Sequence, residues 1–397
     1  MRSDHAIRPP TRACLVTHET PLDDLVLNWT HAELPEHERT RHVHRLHPYL
    51  GKFVPQIVEV FLRKFFRPGD VVYDPFCGSG TTLVEANAYG VRAIGCDIGA
   101  FNCLLTRVKT GVYDMHRLQT EILDILAQTE EQVRPWLFSS NPENDPAPDA
   151  ESDYITTWYA PQARRDLLSY RAMIDRYQYQ DVLKVLLSRA ARSARRTTHV
   201  DLDTPKAPQH GPYFCPKHRK VCYPPHEALG FLKRYSFDTM RRIQQYHRIR
   251  LSTDATIIWG DARTTELSAR IDGVITSPPY LGLIDYHDQH RYAYELLRLP
   301  QRKEDELGAA WKGRSRQAKD AYLQSMVDVF MRIRDAMKPD GRIVLVVHDR
   351  DDLYPEIADR CGMAIEAVIP RRVDCRTGRR SHAFAEHILV WKKRLAR

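Results

Sequence analysis

Two stretches of the sequence carry residue types and spacings that can bind and activate small molecules, and the first contains Phe76, Gly78 and Gly80. These residues follow the apolar segment Val71–Tyr73 and precede a helical pattern, which predicts a glycine turn between a strand and a helix. In such a turn the backbone approaches a ligand closely, and the N–H groups of the helix face it. Asp97 ends the next apolar segment, where a carboxylate can accept hydrogen bonds from ribose hydroxyls. The missing third glycine argues against a nicotinamide dinucleotide, and a purely structural turn shares the Gly-x-Gly pattern.

The second stretch is a polar-Pro-Pro-aromatic tetrad, Ser277–Tyr280, which follows a predicted strand over Gly273–Ile275. A conjugated amine attacks poorly unless both of its hydrogens are held and its nitrogen is drawn toward tetrahedral geometry. The hydroxyl of Ser277 and the carbonyl of Pro278 are two suitable acceptors, and the prolines add no N–H donors. Tyr280 offers a face on which an extruded base can stack. The pattern predicts binding of a nucleobase amine, whereas a Pro-Pro step by itself can simply end a strand.

These stretches lie in a predicted α/β unit that is interrupted and then completed. Strand-type segments occur before position 98 and again after position 253, the last being Ala364–Ile369 and His387–Trp391. The residues between, 113–252, have mostly helical periodicity. Ligands of open α/β sheets bind at the carboxyl ends of the strands. The glycine turn and the Pro-Pro step are therefore expected to meet at one edge of one sheet.

Taken together, Asp74–Thr82 and Thr276–Tyr280 resemble the motifs of the S-adenosylmethionine-dependent amino-methyltransferases of DNA. The Ser form of the second motif is similar to the cytosine-N4 branch. Three further stretches fit the same resemblance: His47–Pro55, Gly260–Arg263 and Lys338–Gly341. The resemblance implies S-adenosylmethionine as the cofactor, bound by Lys52, Phe53, Asp74, Phe76, Gly78, Gly80, Thr81, Thr82, Asp97 and Asp261. It also implies a catalytic set of Ser277, Pro278, Pro279 and Tyr280.

The resemblance also implies an architecture and an activity. The expected fold is an α/β, class I methyltransferase, Rossmann-like, with a seven-stranded sheet whose last strand is antiparallel, formed by 46–112 and 253–397. Residues 1–45 are expected to form an N-terminal arm, and 113–252 an inserted, mainly helical target-recognition domain. The expected reaction is metal-free transfer of a methyl group to the N4 amine of a flipped cytosine in double-stranded DNA. A cognate restriction endonuclease is an optional partner.

The distribution of charge supports a nucleic-acid partner for the inserted segment. The whole chain carries +8, but the window 188–250 holds fourteen basic and four acidic residues and alone carries +10. Aromatic residues are interleaved with these cations, a combination that suits phosphate neutralisation and base stacking. A solvated helix face is the plain alternative. The candidate nucleic-acid-binding residues are Arg195, Arg196, Lys217, Arg219, Lys220, Lys233 and Arg234.

Other activities remain open at this stage. The same pocket chemistry serves adenine N6, related tetrads occur in RNA guanine-N2 enzymes, and a cofactor-binding adaptor without turnover is a further class. Cytosine C5 methylation is disfavoured because that family places its cysteine nucleophile in a Pro-Cys step. The only Cys-Pro neighbour pair here, Cys215-Pro216, has the opposite order.

One cluster of potential metal ligands lies in the basic window. Cys215, His218, Cys222 and His226 offer four side chains that bind zinc elsewhere, and a structural zinc could brace a small recognition element. Their spacing is unusual and lacks a Cys-x2-Cys pair. Packed cysteines and exposed histidines are therefore the favoured interpretation, and no metal site is predicted.

Size and composition set the outer limits. The 397 residues exceed one ordinary domain, and 43% hydrophobic with 28% charged residues is typical of a folded protein. Eight scattered cysteines do not suggest a disulfide framework. Apolar runs are strand-sized and far below the roughly 20 residues of a membrane helix. With no apolar leader near Met1, the expected location is cytoplasmic.

Overall fold

The computed structural model describes residues 9–137, 152–203, 205–373 and 384–394. Its strands are β1 Val71–Asp74, β2 Arg92–Asp97, β3 Tyr213–Cys215, β4 Lys220–Cys222, β5 Ala255–Trp259, β6 Ile271–Thr276, β7 Met337–Val347, β8 Met363–Val373 and β9 Phe384–Lys393. Its α-helices are α1 Glu36–Arg39, α2 Pro55–Phe65, α3 Thr81–Tyr89, α4 Ala100–Thr110, α5 Met115–Leu137, α6 Asp153–Trp158, α7 Pro161–Met173, α8 Gln180–Ala194, α9 Leu229–His247, α10 Tyr286–Gln289, α11 Arg291–Leu297, α12 Arg316–Ala336 and α13 Tyr354–Arg360. The chain divides into two compact units, the first formed by 1–110, 249–285 and 304–397 and the second by 111–248 and 286–303.

The first unit contains a seven-stranded sheet with the order β5-β2-β1-β6-β7-β9-β8. β1 pairs in parallel with β2 and β6, and β7 continues in parallel beside β6. β9 runs antiparallel between β7 and β8. This arrangement confirms the expected seven-stranded class I fold with an antiparallel last strand.

Side chains on both faces of this sheet are buried. Val344 and Val346 of β7 join one apolar cluster, while Ile343 and Leu345 join another. Successive strand residues point to opposite faces, so two layers cover the sheet. Residues of α2 and α3 fill the first cluster, and residues of α12 and α13 fill the second.

The N-terminal segment of the first unit packs against α2 and α3. Leu27, Trp29 and Leu34 are buried in the same cluster as α2 and α3. The indole of Trp29 donates to the carbonyl of Thr11 at 3.1 Å. The described part of the expected arm, from residue 9 onward, is therefore an integral layer of the fold. Burial of its scattered apolar residues needs the α2 surface, which weak local periodicity does not reveal.

The second unit consists mainly of α5–α11, in agreement with its helical periodicity. Two features differ from the sequence-based expectation. Residues 286–303 belong to this unit although they lie far outside 113–252. β3 and β4 form an antiparallel hairpin within the Pro-, Cys- and His-rich segment. The acidic, Pro-rich composition of residues 139–153 predicts an exposed loop; residues 139–151 lie outside the described residues, and Asp153 is the first residue of α6. None of the described helices is long and apolar enough to span a bilayer.

Candidate active site

The glycine turn and the Pro-Pro step meet at one edge of the sheet in the first unit. β1 and β6 are parallel neighbours, with Val72 opposite Gly273. At their carboxyl ends, the Thr276 hydroxyl donates to Asp74 Oδ1 at 2.6 Å. One residue earlier on β6, the carbonyl of Ile275 accepts the Thr82 hydroxyl at 3.0 Å. Two motifs about two hundred positions apart are thus joined directly by side-chain hydrogen bonds.

The turn itself requires glycine at two positions. Gly78 and Gly80 have φ values of +49° and +78°, in the left-handed region that other residues rarely adopt. A Cβ on Gly80 would lie 2.8 Å from the Thr106 side chain, and one on Gly78 would lie 3.1 Å from the Tyr49 hydroxyl. Helix α3 starts at Thr81, which is buried, so the turn leads directly into a helix N-terminus.

Asp97 is tied to the same turn. Its Oδ2 accepts the Gly78 N–H at 2.8 Å, while Oδ1 accepts the Gly99 N–H at 2.8 Å and the Asn102 amide at 2.9 Å. Burial raises the pKa of Asp97, although these three hydrogen bonds act in the opposite direction. Each carboxylate oxygen accepts about two hydrogen bonds. Oδ2, which accepts only the Gly78 N–H among these three bonds, therefore has the capacity to accept a further hydrogen bond.

Asp74 is the most deeply buried acid of the candidate site, with 1% of its surface exposed. Burial raises the pKa of its carboxyl to about 6, against hydrogen bonds from Thr276, Thr82 and Phe76 that lower it. The N–H of Phe76 and the hydroxyl of Thr276 both donate to Oδ1. The carboxyl thus fixes the turn and the end of β6 relative to each other.

The other predicted cofactor residues surround this edge of the first unit. Lys52 donates to the carbonyl of His44 at 2.7 Å, and Phe53 packs against the apolar cluster of α2 and α3. Phe76 is partly exposed beside the turn. Asp261 follows β5 and is held by the Arg263 guanidinium, with Nη2 2.6 Å from Oδ2 and Nε 3.0 Å from Oδ1.

Lys109 is a site residue that sequence reasoning missed. It is 1% exposed, and its ammonium donates to the carbonyl of Ser79 at 2.6 Å, so it supports the glycine turn from α4. Burial lowers its pKa well below the ordinary value. A lone lysine inside a helical pattern gives no sequence signal of this role.

Ser277 is oriented to accept hydrogen bonds. Its hydroxyl donates to the carbonyl of Val346 at the end of β7 at 3.0 Å. Because its own proton is committed there, the lone pairs of Oγ can receive a hydrogen from a ligand. Pro278 is buried, and the carbonyl of Pro279 accepts the Tyr322 hydroxyl at 2.9 Å. The backbone of the Pro-Pro step is thereby held in one position.

Tyr280 is held at the mouth of a cleft. Its hydroxyl donates to Glu386 at 3.3 Å, and Glu386 forms a buried ion pair with Arg371 at 2.6 Å. The cleft is small, and Tyr280, Tyr322 and His348 are among its lining residues. An aromatic face beside an open volume suits a planar ligand.

The predicted nucleic-acid-binding residues of the second unit fall into two groups. Arg195 is buried, with Nη2 2.6 Å from the carbonyl of Leu202 and its guanidinium 4.6 Å from the Tyr292 ring. Lys233 pairs with Glu130 at 2.8 Å. Arg195 thus stabilises the unit from inside. The residues with exposed or partly exposed side chains are Arg196, Lys217, Arg219, Lys220, Lys233 and Arg234.

Part of the positive charge of this window is neutralised internally. Asp238 pairs with Arg189, Arg241 and Arg242 at 2.6 to 2.8 Å. Burial opposes ionisation of Asp238, but the arginine hydrogen bonds hold its pKa below the ordinary value. The hairpin differs: Lys217, Arg219 and Lys220 are exposed beside Phe214 and Tyr223, which are 65% and 71% exposed. Exposed basic and aromatic residues therefore lie close together in sequence on and beside the β3–β4 hairpin.

The geometry at the strand ends fits the expected S-adenosylmethionine. A glycine turn that admits no Cβ leads into a helix N-terminus, and an aspartate lies at the end of the neighbouring strand. In the same turn the Ser79 hydroxyl is buried and makes no hydrogen bond to the described residues. A polar atom of a bound ligand would satisfy it.

Comparisons with known proteins agree with this geometry. A sequence model of the family described as DNA methylase matches residues 17–107. The Type II methyltransferase M.MjaII of Methanocaldococcus jannaschii is 35% identical over 433 aligned positions, covering 90% of this chain and 82% of that protein. The Type II methyltransferase M.MvaI of Kocuria varians is 23% identical, covering 60% of this chain and 53% of that protein. Among solved structures, the rRNA methyltransferase aviRa of Streptomyces viridochromogenes matches with a TM-score of 0.33 and 12% identity, covering 87% of this chain and 88% of that one.

The similarity to M.MjaII extends over nine tenths of this chain. This chain belongs to the S-adenosylmethionine-dependent amino-methyltransferases of DNA.

Proposed function

We propose that the protein is a site-specific DNA methyltransferase that methylates the exocyclic N4 amine of a flipped cytosine in double-stranded DNA. The observation that carries this proposal is the position of Ser277–Tyr280 beside the glycine turn, joined through the Thr276–Asp74 hydrogen bond. The serine at the first tetrad position favours cytosine N4 over adenine N6, by the resemblance of this form to the N4 branch.

The protein's part in the reaction is to hold and orient the amine. S-adenosylmethionine, when bound, supplies an already activated methyl group. Ser277 Oγ accepts one amino hydrogen, and the Pro278 carbonyl accepts the other. Holding both hydrogens draws the nitrogen lone pair out of conjugation and toward the methyl group. Placing reacting atoms about 3–3.5 Å apart in line accounts for much of the rate.

Tyr280 holds the base during this step. Its ring stacks on the everted cytosine, and the link to Glu386 fixes the ring through its hydroxyl. The methylated ammonium is a strong acid, so its proton passes to solvent without a strong base. The site therefore works by positioning, and its rate depends on the geometry of the tetrad.

The second unit supplies DNA affinity and sequence recognition in this proposal. Its exposed cations neutralise phosphates, and the aromatic residues of the β3–β4 hairpin contact sugars or bases. A restriction endonuclease that cleaves the same unmethylated sequence is the matching partner. DNA methylated by this enzyme would then resist that nuclease.

The test is expression of the full chain in a host without DNA methyltransferases. Mass spectrometry of the hydrolysed DNA is expected to find N4-methylcytosine, and long-read mapping is expected to place it at one short sequence. N6-methyladenine in its place would refute the assigned base. Unmodified DNA from a folded, cofactor-binding protein would refute the activity.

Two variants test the assigned roles. Ser277→Ala removes one acceptor, and Tyr280→Ala removes the stacking face, so both are expected to lower kcat by at least about 100-fold. Cofactor binding, measured by calorimetry, is expected to persist in both. Arg332→Ala, an exposed change on α12 of the first unit, is the control and is expected to keep full activity. Full activity of either tetrad variant would refute its role.

A further inference from the structure

We propose that His199, Cys215, His218 and Cys222 of the second unit bind a structural zinc ion. One ligand atom from each of these four side chains lies within 4.8 Å of all the others. Zinc–sulfur and zinc–nitrogen bonds of about 2.3 and 2.0 Å place tetrahedral ligands about 3.3–3.8 Å apart. Small side-chain rotations therefore close the group around one ion.

The chemistry of the donor set matches a closed structural site. Two thiols and two imidazoles form a Cys2His2 set, which zinc binds without an open coordination position. Cys215 and Cys222 are buried, with 0% and 7% of their surfaces exposed. The Cys222 Sγ lies 3.5 Å from His218 Nδ1, and the His199 and His218 rings are 4.5 Å apart. His199 and His218 are exposed, so the group lies at the surface of the unit, where an ion can reach it.

The backbone of the hairpin brings the ligands together. Cys215 ends β3 and pairs with Lys220 of β4, and the Arg219 N–H donates to the Cys215 carbonyl at 2.8 Å. Arg219 has a φ of +52°, a left-handed conformation that is strained for a non-glycine residue. The tight turn aims His218 back toward Cys215. Only two residues separate Cys215 from His218, so both side chains come from the same hairpin.

The fourth ligand comes from outside the hairpin. The loop after α8 places His199 at the cluster, whereas His226, the residue suggested by sequence spacing, is not part of it. The Tyr213 hydroxyl lies 2.9 Å from His199 Nδ1 and 3.0 Å from the His199 backbone nitrogen. A partner on Nδ1 orients the ring and leaves Nε2 for the metal, as is usual for metal-bound histidines.

A bound zinc would hold the hairpin against the loop after α8, within the same unit. β3 and β4 have three residues each, and an isolated two-stranded hairpin is marginal in water. The metal supplies the stability that such a small element lacks. The inference does not depend on the base that is methylated, since it concerns metal content and folding.

Metal analysis of the full chain, purified without added zinc and without chelators, tests the proposal. About one zinc per chain is expected in the unaltered protein, and loss of the metal is expected in Cys215→Ser, Cys222→Ser and His199→Ala. His226→Ala is the matched control and is expected to retain it. Circular dichroism of each variant shows whether the helices persist. Metal-free wild-type protein overturns the proposal, as does full retention of zinc in the cysteine variants.

Two further measurements do not require substitutions. Exchange of the metal for Co²⁺ is expected to give the visible bands and thiolate charge-transfer absorption of a tetrahedral two-thiolate site. A thiol reagent is expected to modify Cys14, which is exposed, at once and to modify Cys215 and Cys222 only after chelation. If chelation leaves their reactivity unchanged, or His226→Ala loses zinc while His199→Ala keeps it, the proposed ligand set is wrong.

Discussion

Substitution of Asp74 by asparagine tests whether the carboxyl that joins the glycine turn to β6 titrates as a buried group in the folded protein. Burial raises the pKa of Asp74 to about 6, from an ordinary value of 3.8. Each pKa unit corresponds to about 1.36 kcal/mol, so ionised Asp74 costs the folded state about 3 kcal/mol. Below about pH 4 the carboxyl is protonated in both states and the penalty is absent. As the pH rises through the folded pKa, the unaltered protein loses this stability.

Asp74→Asn removes the titration while keeping the geometry. An amide oxygen at the Oδ1 position still accepts from Phe76 N and from the Thr276 hydroxyl, which both bond to that atom. The variant is therefore expected to gain stability relative to the unaltered protein between about pH 4 and pH 7. A unit of this size shifts its Tm by roughly 2–4 °C per kcal/mol, which predicts a relative gain of about 6–12 °C.

Differential scanning calorimetry across this pH range measures the change. The quantity to follow is the Tm of the variant minus that of the unaltered protein at each pH, because other titrating groups contribute equally to both. Asp340→Asn, an exposed change on β7, is the control and is expected to show a flat difference. A flat difference for Asp74→Asn would refute the account of a buried, protonatable Asp74.

Three further predictions follow from contacts at the candidate site and the hairpin. Gly80→Ala is expected to raise the KM for S-adenosylmethionine at least about 10-fold, because the added Cβ meets the Thr106 side chain. The control is Gly69→Ala, where φ is +94° and no atom lies within 4 Å of the added Cβ, so only the backbone is strained. Enzyme kinetics that give equal KM values for both variants would contradict this. Tyr280→Phe keeps the stacking face and loses one hydrogen bond, so its kcat is expected to fall about 5-fold, far less than for Tyr280→Ala. Neutralising Lys217, Arg219 and Lys220 together to Ala is expected to reduce the slope of log affinity against log salt by about 2 to 3 in DNA binding titrations. The triple control Arg67→Ala, Arg316→Ala and Arg332→Ala on the first unit is expected to leave that slope unchanged, and equal slopes for the two triple variants would rule out a phosphate-binding hairpin.

Much of the sheet and the reactive tetrad could be predicted because their signals are local. Short apolar segments such as Ile343–Val347 identify buried strands, and the Gly-x-Gly and Pro-Pro steps leave little conformational choice. The sequence predicts Ser277 as an acceptor from its hydroxyl and its place in the Ser-Pro-Pro-Tyr motif. In the structure this hydroxyl donates to the Val346 carbonyl, which leaves the lone pairs of Oγ available. That carbonyl belongs to a strand almost seventy positions away, which no local pattern indicates.

The residues that sequence reasoning missed act through long-range contacts. Lys109 and Glu386 lie in ordinary helix and strand patterns, and their roles depend on which carbonyl or hydroxyl lies opposite them. Arg195 shows the converse error of relying on composition. It was included in a basic surface, but its guanidinium is buried among a carbonyl and an aromatic ring. Charge counts identify the segment that can bind a polyanion, whereas burial identifies the side chains available to do so.

The sheet order explains why this fold tolerates a long insertion between its two motifs. The longer segment of the second unit, 111–248, is inserted after α4, which ends at Thr110. The next strand of the seven-stranded sheet after this insertion is β5. β5 is the edge strand and pairs only with β2 within the described sheet. The entropic cost of closing a loop grows slowly with its length. The insertion therefore adds a small closure cost, and it adds it to the pairing of β5 with β2. The central β1–β6 pair and the Asp74–Thr276 bond lie on the other side of β2, so their geometry does not depend on the length of the inserted segment.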